Sequence, residues 1–129
     1  MIRKQTWSLV EKIKDIVSST RLSNSPYVSK TYNQIVDWFS DTGVWTEYSD
    51  MRILLDPNEQ VYEKIIEGED PEPEVSIAIN NFVSNGAIAF DIGCRYGVQT
   101  LQMRNRIGAN GEVYSFDPYP QHCEFLKRT

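Results

Sequence analysis

The chain has 129 residues with 13 Lys or Arg and 18 Asp or Glu, which gives a formal net charge of −5 at pH 7. This acidic balance disfavours binding to nucleic-acid phosphates, and the sequence contains no run of about 18 apolar residues that could cross a bilayer. With 40% hydrophobic residues, the chain can build one globular core. The start of the sequence lacks the unbroken apolar segment of a signal peptide, so we predict a cytoplasmic location and reduced thiols at Cys94 and Cys123. Two cysteines and one histidine are too few for a disulfide scaffold or a four-ligand zinc site, and we predict no metal site.

The first 68 residues are predicted to form a mainly helical leader. Leu9, Ile13 and Ile16 recur at the spacing of one apolar stripe on a helix, and a second such pattern runs from Tyr27 to Phe39. Two short runs rich in β-branched and aromatic residues flank Ser49-Asp50, which is typical of a small hairpin or a pair of strands. The predicted elements of the leader are therefore a helix over roughly 5–18, a second helix ending at Asp41-Thr42-Gly43, a hairpin around Ser49-Asp50 and a short helix that Gly68 closes.

The character of the sequence changes after the segment EDPEPE, whose prolines favour the start of a helix that ends at Asn85-Gly86. Residues 87–90 form a short apolar run bounded by glycine, which predicts a strand buried on both faces of a parallel sheet. A glycine-containing loop, a helical stretch and a second strand over residues 112–116 follow. This order predicts one βαβ unit of a nucleotide-binding sheet.

The loop of this unit has the pattern that a bound nucleotide requires. Gly93 and Gly97 lie at the predicted carboxyl end of the first strand, where the chain must turn sharply and where a ligand can approach the backbone closely. Asp117 ends the second strand, at the spacing that places a carboxylate on ribose hydroxyls in such folds. Arg95 stands where a dinucleotide-binding loop carries its second glycine, which argues against NAD.

The segment GAIAFDIGCRYGVQTLQMRNRIGANGEVYSFDPYPQHCEFLKRT resembles the opening of class I S-adenosylmethionine-dependent methyltransferases, and more narrowly the FkbM-type methyltransferases. The narrower resemblance depends on DIG followed by a second glycine and Thr-Leu, on G-x-x-G-x-V-Y-x-F-D-P-x-P, and on the EPE that precedes the approaching helix. It implies a doubly wound, Rossmann-like α/β sheet of which this chain holds only the beginning. Residues 69–129 would be the N-terminal part of the S-adenosylmethionine-binding domain, and residues 1–68 the leader.

The resemblance also implies which residues bind the cofactor, S-adenosyl-L-methionine. Asp91, Gly93 and Gly97 would line its amino-acid end, and Asp117 would accept both ribose hydroxyls. The loop backbone would contact the carboxylate and ammonium groups, although family members usually have Ala-Asn in place of Cys94-Arg95. Thr100 is a further candidate, and its side chain could equally cap the start of the helix or pack against its neighbours. The full set of candidates is Asp91, Gly93, Cys94, Arg95, Tyr96, Gly97, Thr100 and Asp117.

The sequence ends within the helix that follows the second strand, before the segments that hold the acceptor in such enzymes. We therefore expect the front part of a methyltransferase that would O-methylate a small molecule or sugar. No catalytic residue is assigned, and the 129 residues alone are expected to be inactive. One alternative is a non-catalytic module that binds a partner chain or self-associates through an open sheet edge. The other is a fragment of a dinucleotide-dependent oxidoreductase.

Overall fold

The computed structural model describes residues 4–19 and 25–129 and has a mixed α/β fold, which confirms the predicted class. The elements in chain order are α1 (Lys4–Ser18), α2 (Pro26–Thr42), β1 (Val44–Tyr48), β2 (Met51–Leu55), α3 (Gln60–Glu67), α4 (Pro73–Phe82), β3 (Ile88–Ile92), α5 (Val98–Ile107), β4 (Glu112–Phe116) and α6 (Pro120–Arg128). A single 3₁₀ turn over Gly108–Asn110 joins α5 to β4. None of the described helices combines the length and the apolar character needed to span a bilayer.

The first sheet is the predicted hairpin. Strands β1 and β2 pair antiparallel, with Val44 opposite Leu55 and Tyr48 opposite Met51. Ser49 and Asp50 connect them with φ angles of 48° and 63°. Two consecutive residues with positive φ are what a two-residue type I′ turn requires, and this turn matches the twist of the strands that it joins.

One cluster of buried side chains joins the leader to the C-terminal half of the chain. Strand β2 contributes three adjacent buried residues to it, and α6 packs against that strand. The cluster therefore crosses the predicted domain boundary at residue 68, and the division into two domains stays a prediction. Its buried members are Phe39, Val44, Ile53, Leu54, Leu55, Tyr62, Ile65, Tyr96, Val98 and Phe125.

The second sheet consists of β3 and β4, which pair parallel with Ile88 opposite Glu112 and Ile92 opposite Phe116. Helix α5 connects the two strands and packs against both of them, while α4 packs against α5. Parallel neighbours cannot be joined by a tight turn, so a crossover helix is the expected connection. The predicted strand–loop–helix–strand unit is present in the structure.

The predicted burial of β3 on both faces is wrong. Ile88, Phe90 and Ile92 point away from α5, and each is at least 63% exposed. Their neighbours Ala89 and Asp91 lie on the side that α5 covers. Short apolar runs bounded by glycine predict burial on both faces because parallel sheets usually carry helices on both sides. Here, within the described residues, only the α5 side of β3 is covered.

Helix α4 is shorter than predicted. It begins at Pro73, as the prolines of EDPEPE indicate, but it ends at Phe82 and does not reach Asn85-Gly86. Val83 has extended backbone angles and its amide still donates to the carbonyl of Ile79. A β-branched residue is a poor helix former, which favours an end at this point.

Candidate functional site

The candidate site lies at the carboxyl end of β3, in the loop that leads into α5. The amides of Gly93 and Cys94 both donate to the carbonyl of Phe116, at 2.8 and 3.1 Å. The amide of Arg95 donates to the Asp117 carboxylate at 2.9 Å. Three successive N–H groups therefore attach the loop to the end of β4, so they hold its shape and are not free for a ligand. The first amides of α5 itself, which begins at Val98, have no intrahelical partner.

Asp117 is the centre of this attachment. Its Oδ2 accepts from Arg95, and its Oδ1 accepts from the amide of Tyr119 at 2.9 Å and lies 2.9 Å from Nδ1 of His122. Burial alone would raise the pKa of this carboxyl, but the hydrogen bonds from Tyr119, Arg95 and His122 outweigh it and hold the pKa below its ordinary value. Only 3% of the side chain is exposed. The structure therefore shows Asp117 tying together the two loops that follow β3 and β4.

Asp91 and Thr100 meet on the inner side of the sheet. The hydroxyl of Thr100 donates to the carboxylate of Asp91 and lies 2.9 Å from the hydroxyl of Ser115. This contact joins α5 to both parallel strands at the level of the loop. Asp91, a predicted cofactor residue, is thus buried against α5 and fixes the direction in which that helix leaves the loop.

Cys94 is a buried thiol in the middle of the loop, with 2% of its surface exposed. Burial, followed by the negative charges of Asp91 and Asp117, raises the pKa of Cys94 to about 11. At neutral pH the group is therefore a neutral thiol, whereas a nucleophilic cysteine needs a lowered pKa. The burial and the raised pKa of Cys94 therefore disfavour a role as a nucleophile.

We expect Cys94 to be alkylated by iodoacetamide at least about tenfold more slowly than Cys123 in the folded protein, because the thiolate is the reactive form. Cys123 is only half-buried, so it provides the internal comparison. Peptide mapping by mass spectrometry after timed labelling at pH 8 measures both rates in one sample. In urea the two rates should converge, and equal rates in the folded protein would contradict the prediction.

The two loop glycines have different surroundings. Gly97 has φ +88°, and a Cβ placed there would lie 2.2 Å from Cδ1 of Leu126, so α6 packs directly against this glycine. Gly93 has φ +83°, but a Cβ placed there would have no atom within 4 Å. The positive φ and the close approach of Leu126 both favour glycine at position 97, whereas the space beside Gly93 is open to a ligand.

Two hollows flank the loop. One is an open depression of about 420 Å³ beside Gly93, Phe116 and Asp117, at the carboxyl ends of the parallel strands. The other is a half-enclosed cavity of about 130 Å³ between the loop and α3, which is lined by Cys94, Arg95 and Tyr96. The loop therefore borders a larger, more apolar hollow on one side and a smaller, polar one on the other.

The structure adds residues to the candidate site that the sequence did not indicate. Gln60 and Lys64 of α3 line the smaller cavity together with Gln99 of α5. His122 bonds to Asp117, and its ring centroid lies 4.8 Å from that of Tyr96. No sequence signal identifies these side chains, because each reaches the loop only through the packing of α3 and α6. In residues 4–19 and 25–129, no cluster of three or more His, Cys, Asp or Glu side chains could hold a metal ion.

Comparison with known proteins gives no relative for this chain. No protein-family model matches it, and neither a curated protein nor a solved structure matches it significantly. A function is therefore inferred from the residues of the loop and from the geometry around them.

Proposed function

We propose that the chain binds S-adenosylmethionine through the loop between β3 and α5 and belongs to an FkbM-type class I methyltransferase. The observation that carries the proposal is Gly93: it directly follows a parallel strand, has a positive φ, and faces open space where a side chain would otherwise stand. Ligands of open α/β sheets bind beyond the carboxyl ends of the strands, which is where this glycine lies.

The two hollows suit the two ends of such a cofactor. The nucleoside would lie in the open depression, where Ile92 and Phe116 offer apolar contact. The amino-acid end would lie toward the cavity beside Lys64 and the N-terminus of α5. Lys64, whose ammonium also donates to the carbonyl of Pro71 at 3.1 Å, and the positive end of the helix dipole favour the carboxylate of the cofactor. Glu72 lines the same cavity and favours its ammonium group. The elongated, half-apolar and half-charged cofactor would therefore extend from the depression on one side of the loop to the cavity on the other.

Asp117 is the proposed partner of one ribose hydroxyl, not of both. Its Oδ2 accepts one described hydrogen bond and keeps a second lone pair, whereas Oδ1 already has two close partners. The small exposed fraction of the side chain means that a hydroxyl would reach it only from the side of the depression. The proposed acceptor of the methyl group is a small molecule or sugar, as the resemblance implies.

The proposal is tested by titrating the chain with S-adenosylmethionine and with S-adenosylhomocysteine in a calorimeter. We expect both to bind, and we expect Gly93→Ala to weaken binding at least about tenfold because the methyl group would occupy the space of the ligand. Gly68→Ala is the matched control: Gly68 also has a positive φ, of +82°, and has no atom within 4 Å of its Cβ position, but it lies at the end of α3. The Gly68→Ala variant should bind both ligands as tightly as the wild type.

NAD separates this proposal from the dinucleotide alternative. Arg95, at φ +47°, borders the smaller cavity at the place where a pyrophosphate would need a glycine. We therefore expect no heat of binding with NAD. Binding of NAD without S-adenosylmethionine would overturn the proposal in favour of a dinucleotide site, and binding of neither ligand would overturn it in favour of a non-catalytic module.

A further inference from the structure

The wall of the smaller cavity that contains Glu72 is held by hydrogen bonds on both sides of that residue. Glu72 directly precedes α4, and it lines the cavity opposite the glycine loop together with Lys64 of α3. Its amide donates to Oδ1 of Asp70 at 3.0 Å, and its carbonyl accepts from the amide of Ser76 at 3.1 Å. The backbone of Glu72 is therefore fixed from both directions, whereas the residue itself is exposed.

Ser76 is in turn attached to a polar bridge that begins at the hairpin. We call Tyr48, Gln102 and Ser76 the polar bridge. Nε2 of Gln102 donates to the hydroxyl of Tyr48 and to Oγ of Ser76, both at 2.8 Å. Tyr48 is the last residue of β1, Gln102 lies in the middle of α5, and Ser76 lies near the start of α4. The bridge therefore connects the leader to the turn of helix that follows Glu72.

The hydroxyl of Tyr48 also faces the carboxylate of Asp70. Burial, followed by the negative charge of Asp70, raises the pKa of Tyr48, although the hydrogen bonds with Gln102 and Ser76 oppose this shift. The hydroxyl therefore keeps its proton at neutral pH, so it can accept from Gln102 and donate to a carboxylate at the same time. Tyr48 is thus connected to Glu72 by two routes, one through Asp70 and one through the polar bridge.

We propose that Tyr48 is a positioning residue of the cofactor site, which holds Glu72 where its carboxylate can meet the ammonium group of S-adenosylmethionine. This inference rests on the proposed function. Tyr48 itself is not among the residues that line either hollow. A charge-assisted hydrogen bond depends on direction as well as distance, so a displacement of Glu72 by about 1 Å would weaken it. The inference gives the hairpin of the leader a role in cofactor binding.

Calorimetric titration with two ligands separates this role from a general effect on folding. S-adenosylhomocysteine carries the ammonium group, whereas 5′-methylthioadenosine has the same nucleoside without the amino-acid end. We expect Tyr48→Phe to weaken the binding of S-adenosylhomocysteine at least about threefold and to leave that of 5′-methylthioadenosine unchanged. The second ligand also reports that the depression beside Gly93 is intact in the variant.

Tyr114→Phe is the matched control. The hydroxyl of Tyr114 also donates to a carboxylate, that of Glu112, but Tyr114 lines neither hollow. The control variant should bind both ligands as tightly as the wild type.

A double-mutant cycle tests whether Tyr48 acts through Glu72. Glu72→Gln alone should weaken the binding of S-adenosylhomocysteine at least about fivefold, because it removes the charge that attracts the ammonium group. In that background, Tyr48→Phe should cause no further loss of affinity, since the two residues act through the same contact.

Three results would overturn the inference and leave the proposed function standing. They are an unchanged affinity of Tyr48→Phe for S-adenosylhomocysteine, an equal loss for both ligands, and a full additional loss in the Glu72→Gln background. A wild-type chain that binds neither ligand would overturn the inference and the proposed function together.

Discussion

Gly111→Ala will lower the free energy of unfolding by about 3 kcal/mol, the upper end of the usual loss on overfilling a packed site. A Cβ at Gly111 would lie 2.2 Å from the carbonyl oxygen of Ala87 and 2.2 Å from Cγ2 of Ile107. The carbonyl is backbone, and it accepts the hydrogen bond from Glu112 at 3.0 Å that begins the pairing of the parallel strands. The methyl group can therefore be accommodated only if the two strands move apart at their first contact.

The backbone of Gly111 is not strained, and this makes the test selective. Its φ of −130° is accessible to any residue, so the expected loss comes from packing alone. Gly68→Ala is the control, because it forces alanine to a φ of +82° in open space and should cost about 1 kcal/mol. Urea unfolding followed by tryptophan fluorescence measures both variants. A larger loss of unfolding free energy in Gly68→Ala than in Gly111→Ala would contradict the explanation that the loss at Gly111 comes from packing.

Elements with local signals could be predicted from the sequence. The hairpin follows from two β-rich runs around Ser49-Asp50, and the end of α3 follows from Gly68, which has the left-handed conformation of a helix C-cap. The position of the glycine loop at a strand end could also be predicted, because glycines after a short apolar run have few other uses. In each case the residues that specify the turn or the helix end lie within a few positions of it in the sequence.

Features that depend on distant contacts could not be predicted. The hydrogen bond from Arg95 to Asp117 joins residues 22 positions apart, and the approach of Lys64 to the loop depends on how α3 packs. The exposure of Phe90 has the same origin: its sequence context is that of a buried strand, and only the placement of the neighbouring helices leaves it uncovered. A run of apolar residues predicts a strand, but it does not predict which elements pack against the faces of that strand.

Asp117→Asn will lower the free energy of unfolding at pH 7 by about 3 kcal/mol, since it replaces a charged acceptor of backbone hydrogen bonds. The carboxylate accepts from the amide of Arg95 on one oxygen and from that of Tyr119 on the other. An asparagine offers one oxygen and one NH₂ group, so one backbone N–H would then face another donor. Glu124→Gln is the control: Glu124 is an exposed carboxylate paired with Lys127 on α6, and its loss should leave stability unchanged.

The pH dependence of the free energy of unfolding tests whether the charged form of Asp117 is the one that stabilises the fold. The folded state lowers the pKa of Asp117 below its ordinary value of 3.8, so the unfolded chain binds the proton first as pH falls. The stabilisation is therefore fully present above about pH 5, begins to fall near the unfolded pKa, and is lost as the pH drops through the folded pKa. Urea unfolding at several values between pH 7 and pH 3 should show the difference between wild type and Asp117→Asn shrinking below about pH 4. If the difference in unfolding free energy between wild type and Asp117→Asn stays constant down to pH 3, the shape of the Asp117 side chain stabilises the fold and its charge does not.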